Sequence, residues 1–258
     1  MPNLAKRYQQ EMHSKLSLFA TWLPGDRIDL GDVGTFRDGK FIKQRSISDL
    51  SAQSADTISI SEESAGNPQD LHFESTSGTK VSFSTGASAA GGRAEIKLEF
   101  SERGAFILQS AAVRRTRIGN RHELEAWVLA RFDESKWNED WYVIDEIYDS
   151  ACTTVIVCLG DSASLTLTGK IPAITAGIIP LANPSVSLSV AAQSGQFVRI
   201  LTKADARPLY ACSKVNTRWF RDSTFEPQDF DFMKPSSGGP VRRENTLKPA
   251  KIDELLDS

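Results

Sequence analysis

Ser162-Ala-Ser-Leu-Thr-Leu-Thr168 places Ala163, Leu165 and Leu167 at every second position and fills the positions between them with hydroxyls. Thr79-Lys-Val-Ser-Phe-Ser84 and Ser185-Val-Ser-Leu-Ser-Val190 repeat the pattern. A period of two puts the apolar residues of a strand on one face and its polar residues on the other. That suits a half-exposed antiparallel sheet and, less often, a sheet able to enter a bilayer. Residues 94–100 show the clearest two-faced strand, with Ala94, Ile96, Leu98 and Phe100 alternating with Glu95, Lys97 and Glu99. Ala105 to Val113 continues as a largely apolar strand.

Moving outward, Leu4, Tyr8, Met12, Leu16 and Phe19 recur at steps of three or four and predict an amphipathic helix over residues 3–20. Asp38-Gly39 between two strand-like runs predicts a tight hairpin, whose return strand opens at Phe41 and Ile42. Ser46 to Asn67, rich in Ser, Asp, Glu and Ala, reads as a connection with at most a short strand. Gly86 to Gly92 lacks any large side chain and reads as a hairpin tip or linker. Asn120 and Glu123 have the spacing of a capping pair, and Leu124, Trp127, Val128 and Phe132 follow at helical spacing, so a second helix is expected over 121–132. Strands are expected at 141–148, 152–159, 162–168, 185–191, 197–202 and 209–215, with a turn at Gly160-Asp161 and a loop at 171–184.

Many strands with two helices describe an α+β fold on a mostly antiparallel sheet. We expect one domain over residues 1–221, followed by a Pro- and Gly-rich linker and tail over 222–258.

Composition narrows the function. The 258 residues are 40% hydrophobic and carry a net charge of −3, which is not the balance of a general nucleic-acid binder. Charge is unevenly placed, since residues 93–121 hold seven Lys and Arg against three Glu. Arg114, Arg115, Arg117 and Arg121 fall in a stretch without aromatics for base stacking, so an anionic lipid surface suits them better than nucleic acid. Three cysteines, Cys152, Cys158 and Cys212, sit in apolar runs and read as buried thiols in a reducing compartment. Residues 1–30 lack the features of a secretory signal and no run approaches 18 apolar residues, so a soluble cytoplasmic protein is expected.

No catalytic signature stands out. His13, His72 and His122 lie apart from one another and from the cysteines, which argues against a zinc site. There is no G-x-S-x-G elbow and no phosphate-binding loop. Asp145 and Glu146, adjacent on a strand, point to opposite faces and do not make a carboxylate pair. The expectation is a protein that is not an enzyme and needs no cofactor or metal.

Taken in order, the features are an amphipathic first helix, an early hairpin and a long two-faced hairpin near 79–113 with a Gly/Ala-rich tip. A middle helix follows, then the strand Trp141-Tyr-Val-Ile-Asp-Glu146, a Thr/Val strand and a second pair of small-residue strands. This order resembles the pore-forming domain of gasdermins, including their compact bacterial members, over roughly residues 3–220. The resemblance implies a soluble autoinhibited precursor, cytoplasmic until an activating protease removes its C-terminal segment. It then binds acidic phospholipid membrane and assembles as a homo-oligomer into a β-barrel, with roles in cell death and antiviral defense and no nucleic-acid partner.

On that resemblance, residues 79–100 and 162–191 enter the membrane. Lys6, Arg7, Arg114, Arg115, Arg117 and Arg121 contact lipid, and Arg242 and Arg243 mark the cleavage site. Leu247, Ile252, Leu255 and Leu256 dock the inhibitory tail. Each alternating run is about seven residues, while a crossing strand takes roughly 9 to 11. The alternative reading is a non-enzymatic partner-binding or scaffold protein of a cytoplasmic assembly.

Overall fold

The computed structural model describes residues 4–22, 27–54, 56–85, 93–170, 181–182, 188–215 and 247–249. The elements in chain order are α1 (Leu4–Leu16), β1 (Phe19–Ala20), β2 (Asp32–Arg37), β3 (Lys40–Ser46), α2 (Ile47–Ala52), β4 (Glu62–Glu74), β5 (Thr79–Thr85), β6 (Arg93–Phe100), β7 (Phe106–Ile118), α3 (Arg121–Asp133), β8 (Tyr142–Lys170), β9 (Leu188–Val215) and β10 (Leu247–Pro249). Strands dominate, β2 pairs antiparallel with β3 and β8, β6 with β5 and β8, and β10 with β9, and the fold class is α+β as the alternation implies.

The contacts group into two compact units. The first comprises Met1–Arg27, Gly66–Arg115 and Tyr148–Leu209, and the second Ile28–Ala65, Thr116–Ile147 and Tyr210–Ser258. In the first unit α1 buries Tyr8 and Met12 against Phe106, Leu108, Val155, Val157 and Leu209. The Tyr8 ring meets Phe106 edge-on at 4.7 Å and Trp22 at 6.0 Å. Ile96, Leu98, Phe100, Ala105, Ile107, Ile156, Leu165 and Leu167 build a second core in the same unit. Leu181 joins it, its N–H donating to Gln109 Oε1 and its carbonyl accepting from Thr154 Oγ1.

The second unit is built on the β2–β3 hairpin. Asp38 and Gly39 both take positive φ, 53° and 73°, as a two-residue turn matched to strand twist requires. Phe36 and Phe41 pair across the hairpin with ring centroids 5.7 Å apart. Gly34 sits where β3 approaches so closely that an added Cβ would collide with the Ile42 carbonyl. The core of this unit gathers Val33, Ile47, Ile118, Leu124, Trp127, Val128, Trp137, Val143 and Val215.

Several elements differ from the reading of the sequence. Residues 46–67 are not a bare connection, because Ser46 and Asp49 form a reciprocal capping box that starts α2, and β4 begins at Glu62. Six residues carry too little helical periodicity to stand out; the capping pair is their only local signal. The turn expected at Gly160-Asp161 does not form either. Hydrogen bonding carries β8 through 29 residues without interruption, and β9 likewise merges the three runs expected at 185–191, 197–202 and 209–215. Helix α3 lies where its spacing predicts, but Asn120 makes no side-chain cap. Its amide bridges Ser59, Ser61 and Glu123 instead.

Within β7, Ala112 adopts φ 51°, a left-handed conformation that costs a residue with a Cβ about 1–2 kcal/mol. The bend is held by Asp70 Oδ1, which accepts from the Ala112 N–H at 2.8 Å, and by Ser150 Oγ, which donates to the Ala111 carbonyl. Ala112→Gly should therefore raise stability by roughly 0.5–1 kcal/mol despite the entropy of glycine. A thermal melt checks this, with an expected Tm rise of about 2 °C.

Candidate functional site

Four strand segments of the first unit lie side by side, and their registers fix what each face carries. Strand β6 pairs with β5 from Thr79↔Phe100 to Thr85↔Ala94, and with β8 from Phe100↔Ala163 to Arg93↔Lys170. Strand β9 lies on the other side of β8. There Ser164 and Ser194 hydroxyls meet at 2.8 Å, and those of Thr168 and Ser189 at 3.3 Å. Gly195, at φ 74°, lets β9 pass against the backbone of Ser162 and Ala163.

One face of this four-strand array is dry. Ile96, Leu98, Leu165 and Leu167 are fully buried, Phe100 and Ala163 nearly so, and Val81 and Phe197 pack against them. The other face is wet and carries Lys80, Ser82, Lys97, Glu99, Ser164, Thr166 and Thr168. Glu99 accepts from Lys97 at 2.7 Å and lies 3.8 Å from Lys80. The hydrogen bond from Lys97, then the charges of both lysines, hold the Glu99 carboxyl below its ordinary range. At the foot of the array a shallow polar cleft is lined by Gly78, Thr79, Lys80, Glu99, Ser162 and Ser194.

Helix α1 is fastened beside the foot of the array. Arg7 pairs with Glu11 at 3.1 Å and Glu102 at 3.0 Å, and its Nη1 donates to the Arg103 carbonyl. Glu11 accepts from the Thr76 N–H, Ser77 Oγ donates to Glu102 at 2.8 Å, and Lys15 Nζ donates to the Glu74 carbonyl. The hydroxyl of Ser77, then the guanidinium of Arg7, lower the Glu102 pKa. A lowered carboxylate lends stability above its ordinary value of 4.5 and loses that stability as pH falls through the lowered one, so this fastening is acid-labile.

The residues expected to contact lipid are divided between the two units. Arg7 is engaged as described and Lys6 lies half-buried on α1. Arg114 and Arg115 are exposed on β7. In the second unit Arg117 pairs with Glu63 at 2.9 Å and Arg121 with Asp145 at 3.2 Å. Leu247 opens β10, whose backbone pairs with β9 in the register Leu247↔Val215 and Pro249↔Ser213. The cleavage candidates Arg242 and Arg243 lie outside the described residues. So do Ile252, Leu255 and Leu256, the Gly86–Gly92 stretch and most of the 171–184 loop.

Sequence reasoning missed the polar node beneath β10. Asp145 is buried, accepts from Ser213 Oγ at 2.6 Å and pairs with Arg121, which also donates to Ser213 Oγ. Burial raises the Asp145 pKa against the pull of Arg121, and burial together with the Asp145 charge pushes the Cys212 thiol well up. A high thiol pKa means little thiolate, so Cys212 is a poor nucleophile. All three cysteines are buried and free, as their apolar contexts imply.

Among the described residues no group of His, Cys, Asp and Glu could hold a metal ion, and no helix is long and apolar enough to cross a membrane. No family model matches the chain, and no curated protein matches it in sequence. Among solved structures, the cryo-EM structure of the Gasdermin A3 membrane pore is similar to it, with a TM-score of 0.37 and 9% identity, over 84% of this chain and 91% of that one.

Proposed function

We propose that this chain is the dormant form of a membrane pore-forming protein of gasdermin type, released by proteolytic loss of its C-terminal tail. One observation carries the reading: in β6 and the part of β8 paired with it, Ile96, Leu98, Phe100, Ala163, Leu165 and Leu167 make an apolar dry face, while Glu95, Lys97, Glu99, Ser164, Thr166 and Thr168 put only charges and hydroxyls on the other. Such strands can exchange their protein core for lipid without exposing a polar side chain to hydrocarbon. Residues 162–170 alone give nine consecutive strand positions, within the roughly 9 to 11 that a crossing takes. A sheet in lipid must close, because each unpaired backbone group there costs several kcal/mol, so the active form is a ring of copies.

The backbone pairing of β10 with β9 supports a tail that docks on the body of the protein. In this reading a cut at Arg242 or Arg243 frees β10 and the Ile252, Leu255 and Leu256 anchors. The exposed Arg114 and Arg115 meet acidic headgroups, each adding about 1 kcal/mol of attraction. The protein is expected in the cytoplasm before cleavage and at the membrane afterwards.

Dye release tests this directly. With a site-specific protease sequence inserted at 242–243, the intact chain should leave acidic liposomes sealed and the cleaved chain should empty them. Liposomes that stay sealed after complete cleavage would reject pore formation and favour a partner-binding or scaffold role.

A further inference from the structure

Strands β7 and β8 pair with each other and carry different partners on their two faces. Phe106 and Leu108 of β7 and Val155 and Val157 of β8 pack with Tyr8 and Met12 of α1. The residues between them, Ile107, Ile156 and Cys158, pack instead with Ile96, Leu98, Leu165 and Leu167 of the array. Helix α1 and the dry face of the array therefore lie against opposite faces of the β7–β8 pair. At the foot this separation ends. Arg7 reaches from α1 to the turn between β6 and β7, where it pairs with Glu102 at 3.0 Å and donates to the Arg103 carbonyl at 2.6 Å. Glu11, its partner on the same helix, accepts from the Thr76 N–H in the turn between β4 and β5. Ser77 Oγ donates to Glu102 and joins the two turns to each other. The fit is close: a Cβ at Gly104 would stand 3.1 Å from Arg7 Cδ and 3.2 Å from Leu4 Cδ2.

Resting on the pore reading above, we infer that the Arg7 network is a second autoinhibitory contact, separate from the tail, which holds the β5–β6 hairpin on the body until α1 releases its foot. The two ends of the hairpin at that foot, Thr79 and Phe100, are direct Cα partners. Both adjoin turns that α1 holds. For the dry face to leave Ile107 and Ile156 the strand pair must turn about those two points, and a network that spans them resists rotation of either. The backbone pairing of β10 falls on Ser213–Val215, in the second unit, and touches neither turn. Cutting the tail and freeing the foot are thus two steps. One guanidinium shared among three acceptors suits the second step, because its charge-assisted bonds depend on one geometry and fail together when the helix shifts.

The test uses the full chain with the inserted protease site and with Arg7→Cys and Glu102→Cys combined. These positions are 27% and 45% exposed on their side chains, open to a short bis-maleimide with a reducible spacer, whereas Cys152, Cys158 and Cys212 are buried. After cleavage on acidic liposomes, the unlinked variant should release dye about tenfold faster than the unsubstituted chain, the rate equivalent of about 1.4 kcal/mol removed from the barrier. Rates are taken per membrane-bound molecule, measured by flotation, so that a change in lipid affinity from the loss of Arg7 does not count. The linked variant should leave the liposomes sealed although its tail is cut, and reducing the spacer should restore fast release. A linked chain that releases dye as fast as the unlinked one, or an unlinked chain no faster than the unsubstituted one, would overturn this inference while leaving pore formation intact. Liposomes that stay sealed with the unsubstituted chain after complete cleavage would instead reject the pore reading, and the second contact with it.

Discussion

Leu165→Arg should abolish the folded state, while Thr166→Lys, one residue along the same strand, should leave it almost untouched. Leu165 is fully buried among Ile96, Leu98, Ile156 and Leu167, and among the described residues no carboxylate belongs to that cluster. An arginine there would bury an unpaired cation and lose the packing of the leucine, a cost of several kcal/mol against a total stability of about 5–15 kcal/mol. Thr166 faces the wet side opposite Lys97, where a further cation stays hydrated. Its cost is held to roughly 0.5 kcal/mol, with a small repulsion from Lys97 included. Thermal melts followed by near-ultraviolet circular dichroism distinguish the two: no cooperative transition for Leu165→Arg, and a Tm within a few degrees for Thr166→Lys. Equal losses at both positions would mean that the strand is sealed on both faces and cannot have a lipid side.

Arg121→Ala should produce the second large loss, and this one should depend on pH. Removing the cation leaves Asp145 buried, with Ser213 Oγ and whatever other donors its backbone surroundings supply. Stranding one partner of a buried pair costs about 3–5 kcal/mol, and because Arg121 is itself 39% exposed on its side chain, roughly half of that is expected. Burial already raises the Asp145 pKa, so the native state holds its proton more tightly than the unfolded chain does. The resulting stability is present below the ordinary value of 3.8 and is lost as pH rises through the raised one. Loss of Arg121 raises the native value further, so the deficit of Arg121→Ala should be largest near neutrality and shrink toward pH 4. Denaturant titrations of both proteins at several pH values measure it; a deficit that does not vary with pH would show that Asp145 does not ionise in the native protein.

How much of this could be read from the residues follows from the range of the interactions involved. Alternation at 79–84, 94–100 and 162–168 fixed which side chains lie on the dry face, because parity is a local property that no partner alters. The Asp38-Gly39 turn and helix α3 were equally legible, each resting on a few neighbouring residues. Strand continuity was not. Gly160-Asp161 has the composition of a turn, yet β8 runs through it as continuous strand, since strand formation follows context more than local composition. The roles of the arginines were also hidden. Arg7, Arg117 and Arg121 look alike in a charge count, but each is committed to a carboxylate at least four residues away, Glu11, Glu63 or Asp145. Arg114 and Arg115, with exposed side chains, keep the surface placement their sequence suggests.

The central claim is that alternate residues of the four-strand array exchange a protein core for lipid when the tail is cut. Hydrophobic photolabelling from a lipid-borne diazirine, read residue by residue by mass spectrometry, addresses it without altering any strand. On acidic liposomes the cleaved chain should take up label at Ile96, Leu98, Phe100, Ala163, Leu165 and Leu167 and spare Lys97, Glu99, Ser164 and Thr166, while the intact chain takes up none in these strands. Label absent from β6 and β8 after cleavage, or spread evenly over both parities, would contradict it.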